Sequence, residues 1–159
     1  IGAIRGFDTA LPAGPDTMNS IQIPPSLDAV LLPLTSDEDV VRLRKRVRED
    51  LLALGFSLVE QTKVVTAASE LARNTLRYGG GGEARILQLH ENSQVGLALI
   101  FSDQGPGIEN VELALKDGYT TGGGLGLGLS GAKRLVDEFE IDTAPGEGTV
   151  VKIIKWRRL

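Results

Sequence analysis

Glu70 and Asn74 stand four residues apart in the stretch ELARN, the spacing that stacks two side chains on one helix face, one turn apart. Such a pair can hold a hard cation through the amide oxygen while the carboxylate takes a proton. Mg²⁺ accepts few protein oxygens and fills its other positions with water and phosphate, so a single asparagine suits it. The same spacing also suits a solvent face on which Arg73 and Arg77 serve as salt-bridge partners. Further along, an aspartate heads the glycine-rich loop SDQGPG at 102–107, directly after the apolar run VGLALIF. A second glycine cluster, TTGGGLGLGLSG, occupies 120–131.

Glycine loops present backbone N–H groups to phosphate, so the type of loop matters. Residues 126–131 match G-x-G-x-x-G, but the dinucleotide fingerprint requires a hydrophobic strand immediately before it and a parallel βαβ unit around it. Here DGYTTGGG precedes. The P-loop pattern also fails, because Ala132-Lys133 follows where Lys-Ser or Lys-Thr is needed.

The elements that must position these residues are legible in outline. DAVLLPL, Asp28 to Leu34, reads as a short strand, and Pro33 places it at a sheet edge. Thr35-Ser36-Asp37-Glu38 is a T-x-x-E capping box ahead of a helix whose buried stripe is Val40, Leu43, Val47, Leu51 and Leu54, closed by Gly55. The basic run Arg42 to Arg48 is then one solvated face of that helix. A second box, Ser57 to Glu60, opens a helix from Val59 to about Tyr78 with Val64, Ala67, Ala68 and Leu71 inward. Four glycines, Gly79 to Gly82, end it.

EARILQLH and VGLALIFS form an antiparallel hairpin about Glu91 to Gln94, with Asp103 at the end of its second strand. A short helix fits IENVELALKDG, and Leu129, Ala132, Leu135, Val136 and Phe139 mark another amphipathic helix. EIDTA, a PGEG turn and TVVKIIKW make a closing hairpin. Long helices early and paired strands late give an α+β fold, a two-layer sandwich with helices on one face of a mixed, mostly antiparallel sheet.

With 159 residues and 42% hydrophobic content, the chain supports one domain. Residues 1–17 are Gly- and Pro-rich and precede Met18, the only methionine. They read as leader or expression-derived sequence, disordered and outside a single domain at 18–159. A net charge of −4 provides no basic field for nucleic acid. The absence of cysteine removes disulfides and thiolate chemistry and accords with a cytoplasmic setting. No apolar run approaches the roughly 20 residues of a membrane span.

ELARN, SDQGPGI, GGGLGLGL and GEGT, in this order and with these gaps, resemble the asparagine box and the three glycine boxes of the GHKL superfamily of ATP-binding domains. Within it, the run DGYTTGGGLGLGLSGAKRLVDEFEI and the ending IKWRR are most similar to the small anti-sigma-factor and stressosome serine kinases. The likeness extends from about Val30 to Arg158. It implies a Bergerat-type ATP-binding fold, ATP and Mg²⁺ as cofactors, and Asn74 as metal ligand.

On this resemblance Asp103 accepts the adenine amino hydrogen and so selects against guanine. Gly105 and Gly107 let base and ribose approach the backbone. Thr121, Gly122, Gly123, Gly124, Leu125, Gly126, Leu127 and Gly128 wrap the triphosphate, helped by the helix that begins near Leu129. Thr149 supports the adenine site, Arg77 and Tyr78 touch phosphate and nucleoside, and Glu70 is the base. The short lid, Ile108 to Thr121, carries Lys116 as its only cation, so contact with the γ-phosphate falls to Lys116, Arg77 or backbone amides.

The implied activity is a protein serine/threonine kinase of a bacterial partner-switching pathway acting on a STAS-domain antagonist, with a phosphatase or sigma factor as further partner. The other reading is a nucleotide-dependent binding module that docks to such a partner without turnover. His90 ends a strand away from the boxes and is not expected to accept phosphate. Trp156 and Phe139 read as packing residues, and Lys133 and Arg134 as exposed helix charges.

Overall fold

The computed structural model describes residues 4–5, 29–116 and 128–158. Ten elements follow in order. The first two are β1 (Ile4–Arg5) and β2 (Val30–Leu34), and the helices α1 (Asp37–Ala53) and α2 (Leu58–Arg77) come next. The hairpin β3 (Gly82–Glu91) and β4 (Gln94–Asp103) leads to α3 (Val111–Ala114) and α4 (Gly128–Arg134). The last two are β5 (Glu138–Thr143) and β6 (Thr149–Arg158). The strands make one sheet in the order β1-β5-β6-β4-β3-β2. Every pairing is antiparallel except the short parallel contact of β1 with β5. The expected α+β sandwich is thus the observed one, with β2 and its Pro33 at an edge.

Local chemistry explains both long helices. The cap of α1 lies one residue later than the T-x-x-E reading. Ser36 is the N-cap, and its hydroxyl accepts the Asp39 N–H at 3.3 Å. The Asp39 carboxylate reaches back to the Thr35 N–H at 2.9 Å and hydroxyl at 3.0 Å. Asp39 at the third helical position thus satisfies two donors, while Glu38 stays exposed. At the other end Gly55, at φ 86°, closes a Schellman turn: its N–H donates to the Leu52 carbonyl and that of Phe56 to the Leu51 carbonyl. Ser57 caps α2 as expected, accepting the Glu60 N–H at 3.2 Å.

Strand alternation builds the main core. Leu97, Leu99 and Phe101 of β4, with Ala84, Ile86, Val151 and Ile153 from its neighbours, face the helices. They meet Leu43, Val47 and Leu51 of α1 and Val64, Ala68 and Leu71 of α2.

One sequence reading is corrected here. Leu129 and Ala132 are buried on α4 as expected, but the helix ends at Arg134. Phe139 is not helical: it lies fully buried in β5 opposite Ile153. The spacing 132, 135, 136, 139 imitates a helix. However, Phe139, Ile141 and Thr143 alternate inward with period two, and Asp137 is already latched to β6. Its N–H donates to the Ile154 carbonyl at 3.0 Å, and its carboxylate accepts the Trp156 N–H at 2.7 Å. Cross-strand pairing therefore outweighs the short helical pattern.

Candidate active site

The C-terminal half of α2, the end of β4 and the start of α4 enclose a cavity of about 730 Å³, within the range of nucleotide-sized sites. Glu70 and Asn74 both line it, as their four-residue spacing on α2 requires. This decides against the purely solvent-facing alternative. Glu70 is buried, and its Oε2 accepts the Gly128 N–H at 3.2 Å. Arg77 and Tyr78, at the end of the same helix, form an exposed rim of the cavity. Arg73, on the helix face between Glu70 and Arg77, adds a second guanidinium to the wall.

Asp103 lines the far side, at the last position of β4. Burial pushes its carboxyl above the usual carboxylate range. Donation from the backbone N–H groups of Gly105 and Thr149 pulls it partly back, the Gly105 bond measuring 2.9 Å. Thr149 sits directly opposite Asp103 in the β4–β6 register and also lines the cavity. Phe101, Ile108, Leu113 and Val151 supply apolar walls beside this carboxylate. The wall thus offers a flat heteroaromatic ring an apolar slot with one directional acceptor.

Gly107 lines the cavity, whereas Gly105, proposed as a nucleotide contact, is not among the lining residues. Their glycine character answers first to the chain itself. A Cβ on Gly105 would come within 2.6 Å of the Gly79 Cα, and one on Gly107, at φ 75°, would overlap the Ala144 carbonyl. The loop is held by the closing hairpin. The Pro106 carbonyl accepts the Gly146 N–H at 2.6 Å, and the Ile108 N–H donates to Thr143 Oγ1 at 3.0 Å.

Lys116 follows α3 at an exposed position and takes no part in the described cavity wall. Thr121, Gly122, Gly123, Gly124, Leu125, Gly126 and Leu127 lie outside the described residues, while Gly128 lines the cavity.

Two residues that the sequence reading passed over shape the site. Gly79 packs so closely on Asp103 that a Cβ there would overlap the carboxyl group. It was read only as part of a helix-ending glycine run. Thr143, fully buried, donates to the Gly148 carbonyl at 2.9 Å and shares a 2.9 Å hydrogen bond with Thr149. Its signal was a polar residue at an inward position of a strand end, opposite Thr149.

With this geometry in place, the family becomes evident. Residues 59–158 match the histidine kinase-, DNA gyrase B- and HSP90-like ATPase family, and the chain belongs to it. Among its relatives, the chain is similar to the serine/threonine-protein kinase RsbT of Bacillus subtilis. The two are 43% identical over 131 residues, spanning 82% of this chain and 98% of that one. It is also 31% identical over 129 residues to an anti-sigma F factor of Clostridium beijerinckii, spanning 77% of this chain and 89% of the relative. The RsbU and RsbW domains of a Mycobacterium tuberculosis protein share the fold, with a TM-score of 0.54 and 21% identity. That match covers 81% of this chain and 33% of the other. Among the described residues no helix is long and apolar enough to cross a membrane.

Proposed function

We propose that this chain is a cytoplasmic, ATP-dependent serine/threonine kinase of a partner switch. Its substrate is a hydroxyl of a small STAS-domain antagonist, and a phosphatase or sigma factor is a further partner. The observation that carries this reading is the convergence of Glu70, Asn74 and Asp103 on one 730 Å³ cavity. The likeness to RsbT and to anti-sigma F factors supports it.

In this reading Asp103 accepts the exocyclic amino hydrogens of adenine, and Phe101, Ile108 and Val151 flank the ring. Arg77 and the backbone N–H groups near Gly128 face the phosphates. Among the described residues there is no group of three or more His, Cys, Asp or Glu that could hold a metal ion. The donor that Asn74 supplies, one amide oxygen, fits a Mg²⁺ ion that draws its remaining ligands from phosphate and water. When bound, Mg²⁺ neutralises charge on the phosphate oxygens. Glu70 takes the proton of the attacking hydroxyl as the new phosphorus–oxygen bond forms and the bond to the ADP oxygen breaks.

The test is transfer from labelled Mg-ATP to a purified STAS protein by the natural chain and by Asn74→Ala. The natural chain labels the antagonist on serine or threonine. The variant loses magnesium-dependent ATP affinity but keeps most of its affinity for magnesium-free nucleotide. Equal transfer by both proteins would remove Asn74 from the site.

A second reading, a nucleotide-dependent binding module, is favoured by one observation: Lys116, the sole cation of the lid, stands apart from the described cavity wall. It predicts tight ATP binding with no labelled STAS protein.

A further inference from the structure

We infer, on the reading of the cavity as an ATP site, that Arg73 is the cation that meets the terminal phosphate of the nucleotide, while Arg77 meets the inner phosphates. Among the described residues only these two cations line the cavity wall. Lys116 stands apart from it, and the sequence from 117 to 127, DGYTTGGGLGL, contains no basic residue. A side-chain cation for that phosphate is therefore to be sought on α2.

Two contacts set the direction of a nucleotide in the cavity. Gly79, just past the C-terminal end of α2, packs against the carboxyl of Asp103, the acceptor of the heteroaromatic slot. Glu70, nine residues earlier on the same helix, accepts the Gly128 N–H at 3.2 Å. At 1.5 Å of rise per residue these two positions lie about 13 Å apart along the axis. A nucleotide with its base at Asp103 thus runs back along α2, and its phosphates are directed toward Glu70.

The reacting phosphate must lie beside the hydroxyl whose proton Glu70 takes, so the cation that serves it is the one nearer Glu70. Arg73 is about 4.5 Å from Glu70 along the axis and Arg77 about 10.5 Å. Residues three apart share a helix face, and Glu70, Arg73, Asn74 and Arg77 all line the wall. Charge supplies a second reason. A carboxylate next to a phosphate is repelled by it, and a guanidinium three residues on offsets that repulsion while presenting a fork of donors to the phosphate oxygens. Arg73 is exposed and, among the described residues, takes part in no ion pair, so its guanidinium is available for the task.

The test is calorimetric titration of the full chain and of its Arg73→Gln, Arg73→Lys and Arg77→Gln variants with ATP and with ADP, magnesium present throughout. ADP lacks the phosphate that Arg73 is assigned to meet. Arg73→Gln should therefore bind ATP at least about tenfold more weakly than the natural chain, the loss of a hydrogen bond between charged partners, while its ADP affinity stays within about threefold. Arg73→Lys, which keeps the charge and loses the fork, should fall between the two. Arg77→Gln should weaken ATP and ADP by similar factors.

A natural chain that binds no adenine nucleotide would overturn the ATP-site reading and the role of Arg73 with it. Where the natural chain does bind ATP, the role of Arg73 fails alone if Arg73→Gln weakens ATP and ADP equally, or weakens neither. It fails as well if the ATP-selective loss appears in Arg77→Gln instead.

Discussion

The backbone N–H of Gly128 donates to Oε2 of Glu70 at 3.2 Å, a hydrogen bond that bridges 58 positions of sequence. It fastens the carboxylate on α2 to a glycine of the second glycine cluster, so the proposed base and the proposed phosphate-binding segment share a contact. Replacing Glu70 with Gln keeps an oxygen acceptor for that N–H but removes the base. Phosphate transfer should fall by about 10²- to 10⁴-fold. Nucleotide affinity, measured by calorimetry, should change by no more than roughly threefold, since binding and chemistry are separable in such a variant. Parallel loss of both would assign Glu70 to binding.

Asp103→Asn separates stability from recognition. Burial raises the Asp103 carboxyl in the folded chain, so the folded state holds its proton more tightly than the unfolded one. The ionised carboxylate therefore disfavours folding above the raised value, and that penalty vanishes as pH falls below the ordinary carboxylate value of about 3.9. The variant should melt at or above the parent temperature at pH 7, with any gain shrinking toward about pH 3. It should bind ATP at least about tenfold more weakly, because an amide cannot reproduce a charged acceptor. A lower melting temperature at neutral pH would contradict the assigned cause.

Gly79→Ala should push a methyl group into the Asp103 carboxyl, destabilising the fold by about 1–3 kcal/mol as overpacking does and weakening ATP binding. Gly80→Ala is the control. Its Cβ meets open space at φ 75°, so it should lose only about 1 kcal/mol to backbone strain and bind nucleotide normally. Denaturant melts and calorimetry on the two proteins distinguish the effects.

Asp39→Asn addresses the N-terminus of α1. The Thr35 N–H holds the Asp39 carboxyl below its ordinary value, against the opposing effect of burial, with help from the Thr35 and Ser36 hydroxyls and from Arg42. A lowered value means the carboxylate stabilises the fold above the unfolded pKa and loses that contribution as pH falls through the folded one. The variant should melt lower than the parent at pH 7, and the two curves should converge in acid. A difference that persists at acid pH would point to lost packing in place of lost charge.

Much of this molecule could be read before it was seen. The hairpin of β3 and β4, the cap at Ser57, the glycine stop at Gly55 and the placement of Asp103 at a strand end all arise from short-range rules, and these dominate where pattern and turn chemistry agree. Glu70 and Asn74 were legible as a pair because helix geometry alone brings them together. Phe139 was misplaced because its spacing satisfied two periods at once, and only its partner Ile153 on β6 decides between them. The cap of α1 moved to Ser36 because Asp39 satisfies two donors of Thr35, a three-dimensional fit that a four-letter pattern does not weigh. Gly79 and Thr143 were silent because their importance lies in what touches them from distant parts of the chain: the carboxyl of Asp103 in one case, the hydroxyl of Thr149 in the other.

Pro33 has a bearing on assembly. It sits in β2, whose outer side faces no other strand among the described residues, and it has no amide hydrogen to offer an incoming strand. A companion protein cannot readily continue the hydrogen-bonded ladder at this margin. At this margin, a docking protein would have to be held by side chains instead of by strand pairing.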